Sequence, residues 1–348
     1  MAVLENGPSP RVMLRTDLDA LPIIEEAGIS YASKIKSKNP AGQEVGVMHA
    51  CGHDIHVTTL IGAARALASN RQNWPGTLLL IGQPSEETGD GAKAMLTDRL
   101  YERFRQSDLA VMLHETNMLA AGTVSVTSGY AMAGVNSVDV TLRGTGGHGA
   151  QPQSTKDPFV MSGEFIMQIQ TIVSRQLKPG EPAVVTIGDI HGGTKRNIIP
   201  DEVKMELTVR AYSGQTMQTI TDAIRRAAQS VALSAGVPED RQPVVAINKE
   251  DATPAIYNDP DLNARVKLSL AVALGEKMFS MMNLCWRAMN SAIFPCQTIK
   301  FQLYYSGWVQ WILLNFPTLK KQEQCYPTCT IAISSQRRNR HYVLELLQ

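Results

Sequence analysis

Cys51-Gly52-His53-Asp54, Glu86-Glu87 and His114 are the residue types a divalent-metal hydrolase uses, carried on three separate stretches of chain. Cys51 and His53 flank a single glycine, so their side chains can leave a turn together and grip one ion or bridge two. Thiolate and imidazole suit a borderline ion such as zinc, and carboxylates extend the choice to manganese and other divalent ions. Each signal is weak by itself, because a lone Cys or His is ordinarily a packed residue and adjacent acids are ordinarily a solvated pair. Position makes Glu86-Glu87 informative: the two acids follow a buried strand and precede the tight loop Thr88-Gly89-Asp90-Gly91. Neighbouring acids can divide the work, one binding metal while the other accepts a proton from water.

A second candidate is the glycine loop Gly144-Thr145-Gly146-Gly147-His148-Gly149. It has no ribose-binding acid and no strand, loop and helix around it, so it is not a dinucleotide fingerprint. A mobile tip with one histidine fits a lid that closes over a site and stabilises developing negative charge. The bland alternative is a hairpin turn with an incidental histidine.

The elements that must position these residues alternate. Residues 12–15 form a short strand that ends in Thr16-Asp17-Leu18-Asp19, placing two carboxylates just past its end. Residues 55–68 carry Val57, Leu60, Ile61, Ala64 and Leu67 at helical spacing. Residues 77–82 are a continuous apolar run, as in a strand buried on both faces, and residues 108–113 repeat the pattern and deliver His114. This order predicts an α/β fold with a mostly parallel sheet, in which ligands gather beyond the strands' carboxyl ends. From Gly134 the pattern changes, with Val138, Val140 and Leu142 alternating with polar residues. A helix over 158–177, strands over 183–190 and 198–209, a helix over 217–235 and a strand over 243–248 complete a ferredoxin-like, split βαβ unit inserted in the larger domain. A helix over 259–276 returns to that domain.

Composition narrows the partners. The 348 residues are 44% apolar with a net charge of +1, enough for two domains and without a basic face for nucleic acid or anionic membrane. A small-molecule partner is expected. Neither a signal peptide nor a run of about eighteen apolar residues is visible, which predicts a cytoplasmic chain. Cys285, Cys296, Cys325 and Cys329 all fall in the tail, where Cys325-x-x-x-Cys329 would be half a zinc site without a second ligand pair. After residue 276 there is no Asp, the only acids are Glu323 and Glu345, and Gly307 is the only glycine, a composition poor in turns and solvated surface.

Taken together, Arg15-Thr16-Asp17-Leu18-Asp19-Ala20-Leu21-Pro22, His49-Ala50-Cys51-Gly52-His53-Asp54, Pro84-Ser85-Glu86-Glu87, Gly146-Gly147-His148 and Asn197-Ile198-Ile199-Pro200 resemble the metal-dependent amidohydrolase and carboxypeptidase family of hippurate hydrolase, aminoacylase and the auxin-conjugate hydrolases. The resemblance runs over residues 12–276. It implies a catalytic domain over 1–133, a dimerisation lid over 134–249, a return helix over 250–276, and an aberrant tail over 277–348. It further implies hydrolysis of N-acyl amino acids or small peptides by a homodimer holding two divalent ions, zinc or manganese. Cys51, His53, Glu87 and His114 match metal ligands, and Glu86 matches the general base that deprotonates the bridging water. Asp19 matches the acid behind a ligand, His148 the lid histidine that reaches the partner subunit's site, and Asn197 and Arg210 the lid residues that hold the substrate.

Three departures from the family pattern accompany the match. The family places several dozen residues before the Arg15 motif, Gln153 stands where a second histidine often follows the lid proline, and the last metal ligand is a C-terminal histidine after leucine. His341, flanked by Arg340 and Tyr342, does not fit that last pattern. A displaced reading frame accounts for it: shifting by one base lets Met281-Met282-Asn283-Leu284 become Asp-Asp-Glu-Pro and lets residues 324–330 encode Val-Leu-Pro-Asn-Leu-His. The coding DNA decides this. The alternative reading is a catalytically impaired remnant that dimerises but lacks the final histidine ligand.

Overall fold

The computed structural model of the chain describes residues 1–274, 298–301 and 330–334 and divides into two units, one built from Met1–Ala131 with the described residues from Ile256 onward, the other from Met132–Ala255. The first unit opens with β1 (Ala2–Asn6) and β2 (Arg11–Asp17), followed by a small hairpin of β3 (Lys36–Lys38) and β4 (Glu44–Gly46). Then come α1 (His53–Ser69), β5 (Gly76–Gln83), α2 (Gly91–Thr97), α3 (Leu100–Phe104), β6 (Leu109–Thr116), β7 (Val124–Thr127) and β8 (Gly129–Met132). Alternate residues of the central strands feed two separate cores. Leu14, Leu78 and Val111 pack with Ala63 and Leu67 of α1, while Met13, Leu79 and Ala110 pack with Ala92 of α2 and Leu100 of α3. Burial on both faces is why these strands read as unbroken apolar runs.

The second unit contains β9 (Gly134–Arg143), β10 (Gly147–His148), α4 (Pro158–Thr171), β11 (Ala183–Gly192), β12 (Ile198–Ile199), β13 (Glu202–Ala211), α5 (Gly214–Ser234) and β14 (Val244–Thr253). Its main sheet has the order β11-β13-β9-β14, every neighbouring pair antiparallel. Val138, Val140 and Leu142 face inward with Val203, Met205, Leu207 and Val209, and Phe165 of α4 with Ile220 and Ile224 of α5 close over them. Both helices start on a capping side chain: Asp157 accepts from the Phe159 amide at 2.8 Å, and Ser213 accepts from the Thr216 amide at 3.0 Å. Two boundaries differ from the sequence expectation. The helix over 158–177 loosens into a π-turn at Ile172–Gln176. The strand over 198–209 is interrupted between β12 and β13, where Pro200 offers no amide to a ladder.

The chain returns to the first unit through β15 (Ile256–Asn258), which pairs with β8, and α6 (Pro260–Leu274), whose Leu262, Val266 and Leu270 join the core of α1. β16 (Thr298–Phe301) and β17 (Thr330–Ser334) complete a seven-stranded sheet of order β1-β5-β2-β6-β16-β17-β7. β5, β2, β6, β16 and β17 run parallel, and β1 and β7 pair antiparallel at the edges. The fold is therefore α/β with a mostly parallel sheet. His341 and the tail cysteines lie outside the described residues. Among the described residues no helix is long and apolar enough to cross a membrane.

Candidate metal centre

The buried stripe of α1 runs through His53, His56, Ala63 and Leu67, with Leu60 partly buried between, at spacings of three and four residues. At the N-terminal end of the stripe the core residues are imidazoles rather than aliphatics. Ile61, expected inside, is 45% exposed. The turn into the helix depends on Gly52, which takes a left-handed φ of +75° and where a Cβ would lie 2.3 Å from Cγ of Glu115. Any other residue there would strain the backbone and displace the Glu115 side chain, so glycine suits the turn that sets Cys51 and His53 on either side of it.

Hydrogen bonds fix the two ligand-type imidazoles. Nδ1 of His53 lies 2.9 Å from the Asp19 carbonyl oxygen, and Nδ1 of His114 lies 2.6 Å from the Glu115 carbonyl oxygen. A carbonyl only accepts, so each Nδ1 carries a proton, and in its neutral form each ring keeps its lone pair on Nε2. That of His114 points to Cys51 Sγ at 3.5 Å. Nε2 of His53 is buried without a hydrogen bond, 3.8 Å from Glu87 Oε1. Leaving a buried polar atom unpaired costs about 1–3 kcal/mol, and a cation at this point would remove the penalty. Ligand atoms of Cys51, His53 and His114 lie within 4.8 Å of one another, as do those of His53, Glu86 and Glu87. One histidine thus belongs to both groups, and the donor set of sulfur, nitrogen and carboxylate oxygen fits borderline divalent ions.

Asp19 joins the pieces. Its carbonyl holds His53, and its carboxylate accepts from the Glu87 amide at 2.9 Å, tying the end of β2 to the Glu86-Glu87 turn. Burial, with the neighbouring Glu86 charge next, pushes the Glu87 carboxyl up against the opposing effect of His53. Such a group gains most from a cation. His114 sits inside β6, two residues before its end, rather than just beyond it as the sequence predicted. Asp17 likewise lies within β2, and only Asp19 is past the strand.

Asp17, His53 and His56 form a third close group. It does not fit an ion. Asp17 pairs with Arg15 at 3.0 Å, and although burial pushes its carboxyl up, Arg15 and then His56 hold it well below the usual carboxylate range. His56 is fully committed at both ring nitrogens. Sequence reasoning passes over His56. The signal that finds it is its place three residues after His53 on the buried stripe.

In the second unit His148 pairs across β10 and β12 with Ile198, and the Gly149 amide donates to the Asn197 carbonyl at 2.9 Å, so His148 and Asn197 are neighbours. The glycine loop is less free than its composition suggests. Gly144 donates to the Asp201 carbonyl at 2.8 Å, and a Cβ there would lie 2.0 Å from the Lys156 carbonyl oxygen. These glycines serve close backbone approach. Arg210 is elsewhere, at the far end of β13 opposite Val135 and Val184. Strand rise puts it roughly 25 Å from the start of β13, beside which His148 and Asn197 sit.

The chain is 39% identical over 211 residues to N-acetyl-L-cysteine deacetylase of Bacillus subtilis, covering 61% of this chain and 48% of that protein. It is 36% identical over 260 residues to N-acetyldiaminopimelate deacetylase of Leuconostoc citreum, covering 75% and 63%. The chain therefore spans about half to two thirds of the length of these relatives. Its fold matches that of the Bacillus subtilis YXEP protein, a dinuclear metal binding peptidase of the M20 family, with a TM-score of 0.73 at 24% identity over 90% of this chain and 82% of that one. The profile of Peptidase family M20/M25/M40 matches residues 13–283, and the chain belongs to that family.

Proposed function

We propose that this chain is a metal-dependent amidohydrolase that cleaves the amide bond of N-acyl amino acids or small peptides. The observation that carries the reading is the His53 ring, whose Nδ1 is fixed by Asp19, whose buried Nε2 makes no hydrogen bond, and which belongs both to the group of Cys51 and His114 and to that of Glu86 and Glu87. Cys51, His53, Glu87 and His114 would hold two divalent ions, zinc or manganese. When bound, such ions polarise an amide carbonyl and acidify water. Glu86 takes the proton of the attacking water and hands it to the departing amine, while Asp19 keeps His53 in its ligating tautomer. His148 donates a hydrogen bond to the negative charge that develops on the carbonyl oxygen, and Asn197 and Arg210 grip the substrate's carbonyl and carboxylate.

The second unit, a split βαβ module by its element order, acts in this reading as a dimerisation lid. The distance along β13 supports that assignment, since His148 with Asn197 and Arg210 are too far apart within one chain to touch one small substrate. In a homodimer His148 and Asn197 serve the partner subunit's site. A cytoplasmic setting, in which Cys51 stays reduced, completes the reading.

A second reading is an impaired remnant, favoured by the sequence around His341. Metal analysis after dialysis, with release of amino acid from N-acetyl amino acids, separates the two. Two ions per chain, with turnover lost to a chelator and restored by zinc or manganese, is the expected result. Two ions without turnover overturns the hydrolase, and fewer than two with feeble turnover favours the remnant.

A further inference from the structure

One buried imidazole has no part in the chemistry above. His56 is 3% exposed, and both its ring nitrogens are engaged. Nδ1 donates to Asp17 Oδ1 at 2.7 Å, and Nε2 accepts from the Glu115 amide at 2.9 Å. Asp17, fully buried, pairs in turn with Arg15, and Arg15 donates twice to Gln83 Oε1 at 2.9 and 2.7 Å. These bonds connect β5, β2, α1 and β6 in one line. The His56 ring meets that of His114 edge-on with centroids 4.5 Å apart and lies 5.4 Å from that of His53. Glu115 anchors both neighbours, its amide holding His56 and its carbonyl holding Nδ1 of His114.

We propose that His56 is a positioning residue, braced between Asp17 and the Glu115 amide, that holds the His53 and His114 rings in their ligating orientations and binds no ion itself. This rests on the reading of Cys51, His53, His114 and Glu87 as metal ligands. Hydrogen bonds at the ring edge leave the face of an imidazole unsupported, and a third ring packed against both imidazoles limits their tilt. The guanidinium of Arg15 neutralises Asp17, so the brace carries no spare negative charge that would draw a cation inward. With a proton on Nδ1 and a donor on Nε2, His56 has no lone pair left to give.

Cobalt titration against a competing chelator tests the proposal in the whole chain. His56→Leu is expected to bind cobalt about 10–100-fold more weakly than wild type, the scale of support lost around a metal ligand, with a weakened thiolate-to-cobalt absorption band. His56→Asn, which restores a donor toward Asp17, is expected to recover most of that loss. Wild-type affinity and spectrum in His56→Leu would overturn the proposal. A measurement on unmutated protein guards against a variant that fails to fold: with nitrogen-labelled histidine and NMR-active cadmium, coupling is expected at Nε2 of His53 and His114 and absent at His56. Coupling at His56 would overturn it as well. A wild-type chain that takes up no ion sinks the ligand assignment and this inference together, whereas normal uptake with an indifferent His56→Leu sinks this inference alone.

Discussion

The two units bury polar groups in opposite ways. In the first, Arg15, Asp17, Gln83, His53, His56 and His114 are all buried and linked across strands and helix. In the second, the buried polar side chains among the described residues are hydroxyls: Ser162 returns to the Pro158 carbonyl at 2.7 Å and Thr221 to that of Met217 at 2.8 Å, while Thr216 donates to Glu181. The candidate residues His148 and Asn197 are exposed. A charged interior is costly, and breaking one buried partnership leaves the other group stranded. The first unit therefore carries a stability cost for its buried charged network, while the second is an apolar sandwich that presents most of its polar residues at the surface.

The largest effect is expected where chemistry depends on a single proton carrier. Glu86→Gln should lower kcat by about 10²–10⁴-fold with metal content unchanged, measured by amino acid release and metal analysis of the same sample. Next, Asp17→Asn should destabilise the chain by about 3–5 kcal/mol in denaturant unfolding, because it strands the Arg15 guanidinium. Phe165→Ala should cost a similar figure, about 3–5 kcal/mol, by opening a cavity in the second unit. The two losses differ in kind: an added Arg15→Met should recover part of the first, and no surface-charge change should recover the second. Asp157→Ala, which removes only the cap of α4, should cost about 1 kcal/mol. At the small end, His148→Ala should change stability by no more than about 0.5 kcal/mol, as expected for an exposed side chain, while still lowering turnover.

Much of the first unit was legible because period and composition agree. The apolar runs that became β5 and β6 are buried on both faces, and the chemistry-bearing residues follow or end them. The alternation of Val138, Val140 and Leu142 marked a half-buried strand for the same reason. Illegible parts are those where burial depends on distant partners. Nothing local announces β1, which exists because its backbone pairs with β5. His56 was hidden because an imidazole on a helix stripe acquires meaning only once Asp17 and the Glu115 amide arrive from two strands. Motif likeness put Asn197 and Arg210 in one substrate-binding set; Asn197 stands beside the glycine loop before β12 and Arg210 near the end of β13, a separation that register reveals and sequence spacing does not.

The proposed convergence of Cys51 with His53, His114 and Glu87 on divalent cations is tested most directly by cobalt absorption, since a thiolate ligand gives a near-ultraviolet charge-transfer band that nitrogen and oxygen donors do not. Wild-type protein is predicted to develop the band on titration and Cys51→Ser to lack it. A wild-type chain without the band, or a Cys51→Ser variant that keeps it, would contradict the account.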